Sequence, residues 1–191
     1  MKVLTVVTHP RTDSLTMAVT DRFVQGLKDA GHETEVLDLY RSGFNPVLNE
    51  PDEPDWTDAG KSYSAEVQTE MARMNRHDGL AYIFPLWWYG MPAMLKGYIE
   101  RVWNYGFAYG PRKLHHRKVL WLSLAAATSE QLAKRKYDEL VYHQLNVGLA
   151  EYAGISTSKV EFLYDTLSAD PAHIQNLLEQ AYEHGLHYSR D

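Results

Sequence analysis

The chain contains no cysteine. That excludes disulfide frameworks, thiolate zinc sites, iron–sulfur clusters and cysteine nucleophiles together. It also lacks a positive excess: 19 Lys and Arg stand against 25 Asp and Glu, a formal charge of −6. No general basic field exists to collect nucleic-acid phosphates, although a locally basic pocket in an acidic protein still suits a phosphorylated cofactor. The longest apolar runs, Val3–Val7, Leu80–Tyr89 and Val119–Ala127, fall short of the ~20 residues of a membrane span. The strand-like start, Lys2 to Thr8, has neither the apolar core nor the small-residue cleavage site of a secretory signal, so a soluble, cytoplasmic protein is expected. A dinucleotide-binding glycine fingerprint, a Walker A loop and a G-x-S-x-G elbow are all missing, as are internal repeats and low-complexity segments.

What remains is an ordinary globular composition, 45% hydrophobic and 23% charged over 191 residues. It predicts one domain spanning residues 1–191 with a real core. Short β-branched runs alternate with helical stripes. Strands are predicted over Lys2–Thr8, Thr34–Leu39, Gly79–Pro85, Lys118–Leu124 and Ser158–Leu163. Helices are predicted from Leu15 to Ala30, stopped by Gly31, over Tyr63–Arg76, and from Pro92 to about Trp103. Two more are predicted, from Asp138 to Tyr152 and after the Asp170–Pro171 cap. Phe44–Asp58, with three prolines and many acids, and Asn104–Arg117, rich in glycine and aromatics, are predicted as loops. Strand–helix alternation makes this an α/β protein. The best solution is a flavodoxin-like, doubly wound sheet of five parallel strands in the order 2-1-3-4-5, helices on both faces. Ligands in such sheets bind beyond the carboxyl ends of the strands, at the switch between strands 1 and 3.

Three segments sit at that rim. After strand 1 comes Thr8-His9-Pro10-Arg11-Thr12-Asp13-Ser14-Leu15-Thr16, hydroxyls, a histidine and an arginine just before a helix. Two readings are open: a plain cap by Asp13 or Ser14, or an anion site in which the helix N-terminus is joined by Ser14, Thr16, His9 and Arg11. After strand 3 comes Pro85-Leu86-Trp87-Trp88-Tyr89-Gly90. Three consecutive aromatics are hard to explain as ordinary core, since a strand would alternate their faces and a helix would fan them around it. A planar ligand accounts for them, a subunit partner being compatible; the alternative is a satellite cluster under Tyr105, Phe107 and Tyr109. After strand 4 come Ala125-Ala126-Ala127-Thr128-Ser129, small enough to let backbone approach a ligand.

The segments THPRTDSLT and FPLWWYGMPAMLKGYIERVWNYGFAYG, the second running from Phe84 to Gly110, resemble the flavin-dependent NAD(P)H:quinone oxidoreductases of the DT-diaphorase type. The resemblance implies a flavodoxin-like fold, FMN or FAD in the three loops, NAD(P)H as co-substrate, and a homodimer with its pocket at the interface. FMN is favoured because no extra segment is evident to hold an adenosine. Carried onto matching positions, the resemblance implies that His9, Ser14, Leu15 and Thr16 surround the flavin phosphate. It also implies that Pro85, Leu86, Trp87, Trp88 and Tyr89 line the ring, and that Ala126, Ala127, Thr128 and Ser129 meet its pyrimidine end. Relatives generally carry glycine where Ala126 and Ala127 stand, and alanine is strained there if positive φ is required.

The implied chemistry is hydride transfer from NAD(P)H through the flavin to a quinone or similar flat acceptor, in alternating occupancy of one pocket. Candidate proton donors are Tyr137, which the pattern places before its helix, and Tyr142 and His143 on it; either of the latter taken singly reads better as a helix-surface residue. Two other functions fit the fold: an electron-carrying flavodoxin, and a flavin- or nucleotide-binding regulatory subunit of a transporter. No metal site is predicted: His115-His116 reads as part of a solvated basic loop, and no carboxylate completes His184 and His187. The acids of Glu50–Asp58 read as a solvated loop.

Overall fold

The five apolar runs hydrogen-bond into one parallel sheet in a computed structural model, which describes residues 1–190. The strands are β1 (Lys2–Val7), β2 (Glu33–Asp38), β3 (Gly79–Pro85), β4 (Lys118–Leu124) and β5 (Thr157–Leu163), ordered 2-1-3-4-5 across the sheet. β3 and β4 are buried at every position, which is why they read as continuous apolar runs instead of alternating ones.

The pleat divides the core in two. On one face Val3, Ala81, Ile83, Leu120 and Leu122 pack under Val19, Phe23 and Leu27 of α1 (Leu15–Asp29) and Leu177 and Ala181 of α6 (Pro171–Leu186). The backbones of these two helices touch. A Cβ at Gly26 would lie 2.1 Å from the Tyr182 carbonyl oxygen, and one at Gly185 would lie 2.1 Å from that of Phe23. On the other face Leu4, Leu80, Tyr82 and Trp121 pack under Met74 of α2 (Ala65–Asn75) and Leu95, Tyr98 and Val102 of α3 (Ala93–Val102). Tyr82 and Trp121 are register partners whose rings stack 4.7 Å apart, and Trp103 Nε1 donates to the Tyr82 hydroxyl at 3.2 Å.

The structure corrects the sequence reading at four places. A short helix, α4 (Ser129–Ala133), follows β4, opened by a Thr128–Gln131 capping box. The next helix starts at Tyr137, not after it. It is α-helical only through Tyr142 (α5) and widens to a π-helix over His143–Glu151. Leu145 and Ala150, both buried, are five residues apart, the spacing that i→i+5 bonding aligns. The acidic loop is not uniformly solvated: Asp52 is 1% exposed, at the end of a 3₁₀ turn (Glu50–Asp52), and pairs with Arg101 at 2.7 Å. His116 is likewise buried, with its Nε2 3.0 Å from the Met74 carbonyl, while His115 beside it is exposed.

Parallel register brings the working ends of β1, β3 and β4 to one rim. Val7 pairs with Ile83 and Pro85 with Leu124, so three successive loops leave side by side.

Candidate active site

Ser14 caps α1, its hydroxyl accepting the Met17 N–H at 3.3 Å. The N–H groups of Leu15 and Thr16 belong to the first turn, where a helix has no internal acceptor and its dipole favours an anion. No acidic side chain occupies that turn, and Ser14 and Thr16 are both buried. The cap and the anion site, set against each other by the sequence, are therefore compatible: one residue end-caps the helix while its neighbours keep free donors.

His9 completes this corner. Its Nδ1 lies 3.1 Å from the Arg11 nitrogen and 3.2 Å from the Arg11 carbonyl oxygen; in the tautomer that accepts the Arg11 N–H, Nε2 carries the proton and is a donor. The ring lies 5.9 Å from that of Trp87. His9, Arg11, Ser14, Leu15 and Thr16 from the β1 loop line a cavity of about 350 Å³ together with Pro85, Leu86, Trp87, Leu124 and Ala126. Arg11 is well exposed and paired with Asp13 at 3.3 Å.

Trp87 to Gly90 make a tight turn, the Gly90 N–H donating to the Trp87 carbonyl at 3.1 Å. Both central residues have positive φ, 52° at Trp88 and 57° at Tyr89. Bulky L-residues avoid that region, at a cost of order 1–3 kcal/mol each, and hold it mainly where function requires it. Trp88 is 97% exposed, so the aromatics are not a satellite cluster under the 104–117 loop. Tyr105 and Tyr109 of that loop pack on Trp56 instead. The Leu86 and Trp87 N–H groups are engaged by the Leu124 and Pro85 carbonyls at 2.8 and 3.1 Å, so these two positions offer carbonyls and apolar faces.

A second recess of about 270 Å³ adjoins the first. Leu86 and Ala126 line both; Trp88, Tyr89, Ala125 and Ala127 line the second. Neither Ala126 nor Ala127 is among the residues with positive φ, so alanine is unstrained there. Thr128 uses its hydroxyl and N–H in the α4 capping box, and Ser129 opens that helix.

The three candidate proton donors separate. Tyr137 joins the site by stacking on Tyr89, ring centroids 3.7 Å apart. Tyr142 and His143 line neither recess: Tyr142 packs edge-on to Phe162, and His143 is exposed. Burial, with the charges of Glu161 and Asp138 adding to it, raises the Tyr142 phenol, so it stays protonated at neutral pH.

Sequence reasoning missed a fourth contributor, the loop after β5. Thr166 and Leu167 line the first recess, and the Asp165 and Thr166 N–H groups bond the Ala127 and Ala125 carbonyls, each at 3.1 Å. The strand-end rule, extended to β5, would have found it. Among the described residues, no cluster of three His, Asp or Glu is placed to hold a metal ion, and no helix is long and apolar enough to cross a membrane.

The donor set suits a flat group carrying a phosphate tail. N–H groups, hydroxyls and an imidazole lie at one end, and an apolar, aromatic-edged slot adjoins it, sharing Leu86 and Ala126.

This is the rim site of a doubly wound sheet, and residues 1–185 match the family described as flavodoxin-like fold; the chain belongs to that family. An uncharacterised NAD(P)H oxidoreductase of Escherichia coli K12 is 40% identical over 185 residues, 94% of each chain. An NAD(P)H:quinone oxidoreductase from Methanothermobacter marburgensis superposes with a TM-score of 0.94 at 31% identity, covering 99% of this chain and 96% of its own. NAD(P)H dehydrogenase (quinone) 1 of Cavia porcellus is 29% identical over 155 residues, 71% of this chain and 56% of that protein. The resemblance carried by Phe84–Gly110 is borne out.

Proposed function

We propose that this chain is a flavin-dependent NAD(P)H oxidoreductase that reduces quinones or similar flat acceptors, with FMN as its flavin. The observation that carries the reading is adjacency: the anion corner at α1 and the slot edged by Trp88 and Tyr89 share Leu86 and Ala126. A bound flavin supplies the two-electron relay between a nicotinamide and the acceptor.

The chain's own residues bind, orient and exclude. The Leu15 and Thr16 N–H groups, the Ser14 and Thr16 hydroxyls and His9 Nε2 hold the phosphate. Pro85, Leu86, Trp87, Ala126 and Ala127, which line the two recesses, flank the flavin ring and keep water from it. Tyr89, braced by Tyr137, and the exposed Trp88 stand at the mouth, where nicotinamide and acceptor take turns, which predicts ping-pong kinetics. FMN is preferred to FAD because the donors gather at a single corner beside the start of α1. We further propose that the protein works in the cytoplasm as a homodimer. Val47, Trp56 and Tyr152 leave large apolar side chains exposed, area that a second copy would cover.

The test is titration of the purified protein with FMN, followed by NAD(P)H oxidation with a soluble quinone. Tight binding and steady turnover are expected; binding without turnover would favour an electron carrier, and no binding would sink the reading. Ser14→Asp isolates the anion corner. Aspartate is as good a cap as serine, so the fold survives, while its charge repels the phosphate.

A further inference from the structure

Arg41 lies outside the site, in the loop after β2, yet its guanidinium reaches 31 and 32 residues back along the chain. Nη1 donates to the Pro10 carbonyl at 2.8 Å and Nη2 donates to the His9 carbonyl. Nε donates to the Asp38 carboxylate at 2.7 Å. Asp38 is itself fixed, accepting the Tyr40 and Arg41 N–H groups at 3.0 and 3.2 Å. It also ends β2 beside the last residue of β1, as the register partner of Val7. One planar fork thus ties the edge strand to two successive carbonyls of the loop that enters α1.

The orientation of those carbonyls matters. A trans peptide points its N–H opposite its C=O. Holding the Pro10 carbonyl toward Arg41 therefore turns the Arg11 N–H the other way, where it meets His9 Nδ1 at 3.1 Å. That contact holds the His9 ring, which lines the recess, and in the tautomer that accepts the Arg11 N–H leaves Nε2 as its donor. Asp38 neutralises the guanidinium, so the effect on the recess is geometric more than a matter of field. Lysine could not replace it, because one ammonium lacks the fork.

We propose that Arg41 is a positioning residue for the phosphate corner: through the His9 and Pro10 carbonyls it sets the peptide that orients His9. The inference rests on the reading of this corner as a phosphate site. It predicts that Arg41→Met weakens FMN binding about tenfold, the worth of one or two well-made hydrogen bonds. Riboflavin, which has the same ring system and no phosphate, should lose less than about twofold. Asp38→Asn should shift FMN in the same direction by a smaller factor.

A second readout needs no ligand. In the free protein the Arg11 amide should exchange with solvent about tenfold faster in Arg41→Met than in the parent, with the Leu4 amide in β1 unchanged as a control for the fold. Equal losses for FMN and riboflavin, unchanged FMN affinity, or unaltered Arg11 exchange would each overturn the inference. If the parent binds neither flavin, the proposed function fails, and the Arg11 exchange rate still decides whether Arg41 holds the loop.

Discussion

Tyr137 lies flat on Tyr89, ring centroids 3.7 Å apart and planes 14° from parallel. The pair joins the turn after β3 to the first residue of α5, and Tyr89 needs such a brace because its own backbone is left-handed. Stacking contributes about 1 kcal/mol beyond area burial. Tyr137→Phe keeps the stack and removes only the hydroxyl, so unchanged turnover is expected if the ring is what matters. Tyr137→Ala should cost about 1 kcal/mol and lower kcat/KM for the acceptor about tenfold, by loosening the mouth of the slot. A drop in kcat with Tyr137→Phe would make the hydroxyl a proton donor instead.

Trp88 combines 97% exposure with a φ of 52°. Its side chain contributes almost no burial and its backbone sits where an L-residue is disfavoured by roughly 1–2 kcal/mol. Trp88→Asn, a residue that tolerates this region, should raise unfolding free energy by up to about 1 kcal/mol. The same variant should reduce turnover, because the aromatic face at the mouth is gone. Denaturant melts and steady-state assays on one preparation check both. A variant that is neither more stable nor slower would mean that Trp88 has no part in the site.

The sheet order was legible because buried parallel strands announce themselves as unbroken apolar runs, and the strand-end rule then located three of the four contributing loops. Ser14 and Thr16 could be offered from chemistry alone, as hydroxyls at the start of a helical stripe, though with a plain cap as the rival reading; Leu15 entered only through the resemblance. Asp52, Arg41 and His116 were not. Each owes its state to partners far along the chain: Asp52 to Arg101, Arg41 to the carbonyls of His9 and Pro10, His116 to Met74. Local composition sees only an acidic loop, a turn arginine and a basic stretch. The π-helical turn was hidden for a different reason, since a five-residue apolar spacing blends into an α-helical stripe over so short a run.

Arg101 is 3% exposed and anchors the 3₁₀ turn to α3 through Asp52 at 2.7 Å, with Glu66 at 2.5 Å as its second carboxylate. Burial alone would raise the Asp52 carboxyl, but hydrogen bonds from Arg101 and Ser64 outweigh it and hold it below the usual range. Removing the cation leaves buried Asp52 without its counter-charge. Arg101→Met should therefore cost about 3 kcal/mol. Asp52→Asn, which keeps an acceptor for the Ser64 N–H, should cost less. Urea unfolding of the two variants measures the difference, and equal or negligible losses would contradict the assignment.

His116 makes stability depend on pH in a defined window. Burial lowers its imidazole to about 4, with the nearby His115 and His77 acting in the same direction and the Met74 carbonyl and Asp78 opposing. The unfolded chain takes up the proton near the ordinary value of 6.5. For a base depressed in the folded state, the stabilisation is whole above 6.5 and is lost as pH falls toward 4, because there the unfolded chain binds more protons. The full loss is about 3 kcal/mol at 1.4 kcal/mol per pK unit. His116→Gln retains an N–H for the Met74 carbonyl and has no proton to gain. Unfolding free energies of parent and variant, compared at pH 7 and pH 4.5, should show the parent falling by about 2.5 kcal/mol more than the variant. The comparison cancels the acid sensitivity that both proteins share through Asp52 and Asp78. Parallel curves would show that His116 is protonated as readily in the folded protein as in the unfolded one, and that its burial against α2 is looser than the 3.0 Å contact with the Met74 carbonyl indicates.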